Sequence, residues 1–342
     1  MPTRILPPTP IHLAEAAAYL TGGDVVAMPT ETVYGLAASL WREDGLARIF
    51  ACKARPHFDP LIVHLSSEMA ADQNFLHRLV AFRDLVQQQL FERLRATFWP
   101  GPLTLVLPKA AGVPDLATSG LPTLAVRVPR HPVAQALLQQ VGVPLAAPSA
   151  NRFGRISPTC AGDVLAELDG RIPLILEGGP CHIGLESTVL GWNEAEQPIL
   201  LRPGAISSHA LTEVLGQPVL QDAPHPAEIL APGMLKNHYA PRKPLYLLPA
   251  DWRPEQVLPT PQPGTPALLL PYGNAPALSA QIGVEVQTLS ATPNPEQAAR
   301  HLFACLRSLD QSDADYLLTQ LPAETSALEY AISNRLRKAA GC

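Results

Sequence analysis

DVVAMPTETVYGL, residues Asp24–Leu36, runs from a short apolar segment straight into hydroxyl and carboxyl groups. Asp24–Pro29 follows the turn signal Gly22-Gly23 and is mostly apolar, the pattern of a buried strand. Thr30 or Thr32 then stands where a following helix would be capped, and the N–H groups of such a helix would suit an anion. A plain N-cap and an anion site are both open at this point, and Tyr34 taken alone reads as core.

Working outward, the same alternation recurs. Pro60–Leu65, Leu103–Leu107, Leu124–Val128, Ile172–Leu176 and Ile199–Leu201 read as further strands. Between them, His12–Leu20, a segment from about Asp44 to Cys52, one broken helix or two within Asn74–Thr97, and Pro132–Val141 read as helices, with Gly22-Gly23 closing the first and Asp44 capping the second. Strands alternating with helices predict an α/β fold, and the short connections predict a mixed rather than a wholly parallel sheet. Residues 217–243 are rich in proline and polar residues and lack either periodicity, so they read as an extended linker. Beyond it the pattern resumes: strands at Leu245–Leu248, Ala267–Leu270, Val284–Leu289 and Tyr316–Thr319, helices at Pro295–Ser308 and Glu324–Lys338. The predicted domains are therefore 1–216 and a smaller α/β unit at 244–342, the two-domain arrangement that 342 residues favour.

Composition narrows the function. Residues 1–206 carry 16 Lys and Arg against 18 Asp and Glu, and residues 207–342 carry 9 against 12, so neither half attracts nucleic acid as a whole. Five scattered cysteines without a CxxC pair argue against a disulfide framework or a thiolate zinc site. No apolar run approaches the roughly 18 residues that span a bilayer, and the proline-rich start has no secretory h-region, which makes the cytoplasm the expected location and a membrane role unexpected. GxxxxGKS/T, GxGxxG, GxSxG and HExxH are all absent, so no P-loop, dinucleotide, nucleophile-elbow or zinc-protease chemistry is indicated.

Three more segments place polar groups at the ends of apolar runs, where α/β folds gather ligands. Lys53-Ala54-Arg55-Pro56 ends a helix just ahead of the strand holding His64; its cations read either as complements to the helix dipole or as a clamp for carboxylate or phosphate. Ala147-Pro148-Ser149-Ala150-Asn151 reads as a turn or as a close backbone approach to a ligand. Glu186-Ser187-Thr188-Val189 and Leu201-Arg202-Pro203-Gly204 pair a hydroxyl cluster with a guanidinium that reads as a turn residue or as facing a triphosphate. Together these supply several cations and hydroxyls without a strong general base, a kit for positioning anions rather than for acid–base hydrolysis.

In order along the chain stand PTETVYGL, IFxxKxRPxxxPLIVHL, FWPGPLTLVL, LAVRVPRHP, APSANxxGxxSPT, ILEGGPCxxGxESTV and LRPG. This series resembles the YrdC-like family, specifically the long, two-domain L-threonylcarbamoyladenylate synthases, with the linker APGMLKNHYAP (231–241) and a Rossmann-like C-terminal unit. The resemblance implies a twisted open α/β sheet and a nucleotidyltransferase that makes threonylcarbamoyl-AMP and pyrophosphate from L-threonine, bicarbonate and ATP, with Mg²⁺ accompanying the ATP and no metal held by protein side chains. The product would serve a separate threonylcarbamoyl transferase complex acting on tRNAs that read codons beginning with A; a weak direct tRNA contact is left open. The resemblance puts Lys53 and Arg55 in a catalytic role, Thr30, Tyr34, His64 and Ser187 near threonine, and Lys53, Arg55, Ser149, Asn151 and Arg202 near ATP. It adds Arg127, Thr118 and Tyr239 to the cleft and makes the linker, with Met234, His238 and Tyr239, a lid over it. Ala54 stands where the family commonly has Gly, and Asp59 where it commonly has Asn. Two competing readings are a nonenzymatic RNA-binding module, which the near-neutral charge disfavours, and a hydrogenase-maturation carbamoyl transferase, whose zinc-finger and acylphosphatase segments this chain lacks.

Overall fold

Each of the six apolar runs read as strands in residues 1–206 lies on a strand of the computed structural model, which describes residues 2–56, 58–221 and 238–342. The strands of the first domain are β1 (Arg4–Leu6), β2 (Val26–Met28), β3 (Gly35–Ser39), β4 (Ile62–His64), β5 (Leu103–Pro108), β6 (Thr123–Arg127), β7 (Leu145–Ala146), β8 (Leu174–Leu176), β9 (Thr188–Trp192) and β10 (Pro198–Arg202). They form one sheet in the order β1-β8-β2-β3-β7-β4-β6-β5-β9-β10. β4 and β6 run parallel, as do β5 and β9, whereas β2–β3, β3–β7 and β5–β6 are antiparallel, so the sheet is mixed. The central strands are buried along their whole length, which explains their continuous apolar runs.

Two local expectations change. No helix follows Thr30 and Thr32: the chain turns and returns as β3, antiparallel to β2, so the idea of an anion on a helix N-terminus there is withdrawn. The turn is closed by Thr30, whose Oγ1 accepts from the Thr32 and Val33 amides (3.2 Å each) and donates to the Val33 carbonyl (2.6 Å). The helix Glu43–Lys53 is preceded by Arg42 at its cap, and Asp44 lies in its first turn, ion-paired to Arg42 at 2.6 Å.

In the second domain, β11 (Leu245–Leu247), β12 (Pro266–Tyr272), β13 (Glu285–Ser290) and β14 (Tyr316–Thr319) form a parallel sheet in the order β11-β14-β12-β13. Parallel neighbours need crossovers, and the helices Ala275–Ile282 and Pro295–Gln311 provide two of them. A single apolar cluster joins the domains: Val33, Ile156 and Leu185 of the first pack with Leu302, Phe303, Leu306, Ile332 and Leu336 of the second. Arg307 adds ion pairs to Asp163 (3.1 Å) and Glu167 (3.4 Å). At Gly184 the backbones come so close that a Cβ would meet the Arg300 backbone at 2.6 Å. The helix Ser208–Leu215 buries Leu211 and Leu215 in the core of the first domain, although it lies beyond the last strand of that sheet.

Candidate active site

The turn between β2 and β3, the strand β4, the ends of β6, β7 and β10, and the segment leading into β9 converge on one cavity of about 50 Å³. Thr30, Thr32, Arg55, His64, Arg127, Ser149, Glu186, Ser187 and Arg202 line it with apolar Val33, Ile62, Ala147 and Pro148, and His238 and Tyr239 close it. The walls are stitched by backbone: the Leu36 amide donates to the Pro148 carbonyl and the Ala150 amide to the Tyr34 carbonyl, each at 2.8 Å. The first and third polar segments of the sequence are thereby one surface.

Three guanidinium groups reach this cavity, each held by several acceptors. Arg55 leaves the helix Glu43–Lys53 because Ala54 caps it in the left-handed conformation (φ 51°, ψ 42°). Its Nη2 lies 2.9 Å from Asp59 Oδ2 and donates to the Pro60 carbonyl at 2.8 Å. Arg127 donates from Nη1 to Thr32 Oγ1 (2.8 Å), and its Nη2 lies 2.7 Å from Glu31 Oε1. Arg202 donates to the Ser187 carbonyl (3.0 Å) and hydroxyl (3.1 Å). Burial pulls Arg55 and Arg202 below the ordinary arginine value, yet arginine stays cationic near neutrality. Burial pushes the Glu31 carboxyl up, but the Arg127 charge and hydrogen bond outweigh it and hold the group below its ordinary value. Burial raises Asp59 despite Arg55 beside it. His64, bonded through Nδ1 to the Ile62 carbonyl, is lowered to about 3 by burial and by Arg127, so it is neutral at pH 7.

The closing side comes from the far end of the linker. Tyr239 is fully buried at φ 66°, uncommon for a bulky residue, and its hydroxyl has no hydrogen-bond partner among the described residues. Burial, then Glu186, pushes that hydroxyl up to about 12. Its ring packs on Phe303 (centroids 5.5 Å apart) and against His238 (4.1 Å). The Ala240 amide donates to the Gly154 carbonyl at 2.8 Å, which pins the segment to the first domain.

Comparison with known proteins assigns both halves of the chain. The Sua5–YciO–YrdC family model, described as telomere recombination, matches residues 18–204, and the model described as the C-terminal domain of threonylcarbamoyl-AMP synthase matches residues 206–341. The chain is 39% identical over 339 residues to the threonylcarbamoyl-AMP synthase of Bacillus subtilis, covering 96% of this chain and 93% of the relative. It is 38% identical over 335 residues to that of Pyrococcus abyssi, at 95% and 93% coverage. This chain belongs to the threonylcarbamoyl-AMP synthase family. It is an enzyme of that family, whose reaction forms threonylcarbamoyl-AMP for tRNA modification. The fold agrees: the crystal structure of P. abyssi Sua5 complexed with L-threonine matches with a TM-score of 0.80 at 33% identity, covering 99% of this chain and 97% of that one. The Escherichia coli YciO structure, at 22% identity and a TM-score of 0.50, shares the fold over 61% of this chain.

Against this synthase fold, the predicted site residues divide into walls and supports. Thr30, Arg55, His64, Arg127, Ser149, Ser187, Arg202 and Tyr239 are brought together around the cavity. Lys53 is not among its walls: the buried ammonium donates to the carbonyls of Ser149 and Asn151 and so holds the loop from behind. Asn151 also turns away, its Nδ2 donating to the carbonyls of Arg152 and Arg155 at 2.8 Å each. Tyr34 is a core residue whose hydroxyl donates to the Gly179 carbonyl (2.9 Å) and accepts from the Gly178 amide (3.1 Å). Thr118 sits on the short helix Asp115–Thr118, bonded to Lys109 at 3.2 Å and outside the cavity walls. Of the expected lid, residues 222–237, including Met234, lie outside the described residues. Thr32, read from the sequence only as a candidate helix cap, and Glu186 are wall residues that were not assigned to the site, although both stand inside the quoted motifs.

Proposed function

We propose that this cavity joins L-threonine, bicarbonate and ATP into threonylcarbamoyl-AMP, within a catalytic domain of residues 1–216. The observation that carries the reading is the convergence of Arg55, Arg127 and Arg202 on one small space also lined by hydroxyl groups. Three guanidinium groups suit a carboxylate, a carbonate and phosphates held at once. The Ser187 hydroxyl is engaged by Thr104 (2.7 Å) and Arg202 rather than by a base, so it is set to hold an anion rather than to attack one.

The chemistry needs no covalent enzyme intermediate. The threonine amine attacks the carbon of bicarbonate, and loss of water leaves a carbamate. A carbamate oxygen attacks the α-phosphorus, and the bond to the β-phosphate breaks to release pyrophosphate. Charge spreads over phosphate oxygens in the second step, where Arg55 and Arg202 stabilise it. Thr30, His64 and Ser187 face threonine, whose methyl group has apolar neighbours in Val33 and Ile62. Lys53 acts through Ser149 by fixing its loop, and Asn151 braces the chain that follows through the Arg152 and Arg155 carbonyls. Mg²⁺ arrives on the ATP phosphates as part of the substrate. Glu31, Asp59 and Glu186 are each ion-paired to an arginine, so the triphosphate supplies the ligands that the metal needs.

A ligand pocket measures about 300–1,000 Å³, several times the space present. The segment of His238 and Tyr239 therefore withdraws to admit ATP and returns to shield a mixed anhydride that water would destroy. The P. abyssi structure was solved with L-threonine, which supports that substrate here. The test is release of pyrophosphate: it requires L-threonine and bicarbonate together. Serine leakage of roughly 10–200-fold below threonine is compatible, because one methyl group is worth about 1–3 kcal/mol; equal turnover with serine, or without any amino acid, would end the reading.

A further inference from the structure

Arg335 lies on the helix Ala327–Ala339 of the C-terminal domain, yet its guanidinium ends behind the cavity of the first domain. It is fully buried. Nε lies 2.9 Å from Glu186 Oε2, Nη1 donates to the Pro203 carbonyl at 2.8 Å, and the guanidinium carbon stands 5.4 Å from the centre of the Tyr239 ring. Every one of these contacts adjoins a cavity residue: Glu186 precedes Ser187, Pro203 follows Arg202, and Tyr239 is itself a wall. Glu186 is held a second time, by the Ser157 hydroxyl at 2.6 Å.

Adhesion between domains does not require this arrangement. The shared apolar cluster already joins them, and a buried ion pair is often no more stabilising than well-packed apolar side chains. What a guanidinium offers that an apolar side chain cannot is a rigid planar fork, whose donors fix several acceptors relative to one another and whose face stacks on an aromatic ring. Here the acceptors belong to two separate loops and the ring belongs to the linker.

We propose that Arg335 is a positioning residue for the reaction, holding the Glu186–Ser187 and Arg202–Pro203 loops in register with Tyr239, so that the C-terminal domain completes the active-site wall. The inference rests on the reading of the cavity given above. Its test uses the full-length chain, assayed for pyrophosphate release with L-threonine, bicarbonate and ATP, with folding followed by thermal unfolding. Arg335→Lys keeps the charge but loses the fork: it stays folded while kcat falls about 10- to 100-fold, the scale of a small misplacement of reacting groups. Methylguanidinium added to Arg335→Ala recovers part of the lost turnover. Because Arg335 and Tyr239 act as one unit, Arg335→Lys combined with Tyr239→Leu loses little more than the worse single variant. A folded Arg335→Lys with wild-type kcat and KM overturns the proposal. So does an Arg335→Ala whose activity falls only in step with its folded fraction and ignores methylguanidinium, and so do losses that multiply in the double variant. A wild-type enzyme whose pyrophosphate release ignored threonine would instead strike the reading of the cavity itself.

Discussion

The two sides of the cavity are built differently. The side from the first domain consists of strand ends and tight turns, where Thr30 and Arg55 are held by neighbours a few residues away, while Arg127 reaches Thr32 across 95 residues of chain and Ser187 meets Thr104 across 83. The other side is Tyr239, held at a strained backbone angle by Phe303 and Arg335 of a different domain. The first is built within one domain; the second exists only where the linker meets the C-terminal domain. On the proposed reading, the first side would hold anions and the second would cover a reaction with an unstable anhydride product.

The largest effect should come from cutting into the first side. Lys53 is buried and donates to two carbonyls, and burial, then Arg55, holds its ammonium well below the ordinary value. As a substrate clamp at an exposed helix end it would have mattered to activity and hardly to folding. In its observed place, Lys53→Met strands two carbonyls, lowering stability by about 2–4 kcal/mol and kcat/KM with it. Urea unfolding and steady-state kinetics on one preparation check this; a variant that loses activity at unchanged stability would return Lys53 to direct contact with substrate.

A smaller effect separates the two sides by pH. His64 belongs to the first side and His238 to the second, and burial lowers both to about 3, with Arg127 the next cause for His64. Around His238 the Glu186 carboxylate attracts its proton, while Arg55, Lys53 and Lys338 repel it. Both rings are lowered in the folded state, so their contribution to stability is complete above about pH 6.5 and is lost as pH falls toward 3. Each ring costs up to about 1.4 kcal/mol per pH unit in that window. Unfolding measured at pH 7, 6 and 5 should show His64→Gln and His238→Gln each flattening the slope, whereas an unchanged slope in His238→Gln would mean that its side stands open in solution.

The smallest effect concerns the hinge of the first side. Ala54 occupies the left-handed region that lets Arg55 leave its helix. Ala54→Gly should stabilise by about 0.5–1 kcal/mol with kinetics unchanged. A destabilised variant would show that the entropy lost by the glycine outweighs the relief.

How far the sequence carried differs along the same line. The apolar runs announced six of the ten strands of the first sheet, and the strands Tyr316–Thr319 and Leu103–Pro108 fall within a residue of where periodicity put them. The turn at Thr30 misled because a hydroxyl cluster after a strand is equally good chemistry for a helix cap and for a tight reversal. Only the pairing of β3 with β2 decides between them. Tyr34, Asn151 and Lys53 were drawn into the site by their motifs, yet each supports it from behind, because a motif records which residues belong to one surface and not which atoms face the void.

By itself the sequence determined the class of fold. Strand periodicity, proline content and the residue types at strand ends are local quantities, readable one window at a time. The tertiary structure alone decided that Arg335, one arginine among others on an amphipathic helix, ends against Glu186 and Tyr239. Its meaning comes from a contact across 149 residues of chain, and such a contact follows from the packing of the two domains, for which no local pattern of residues carries a signal.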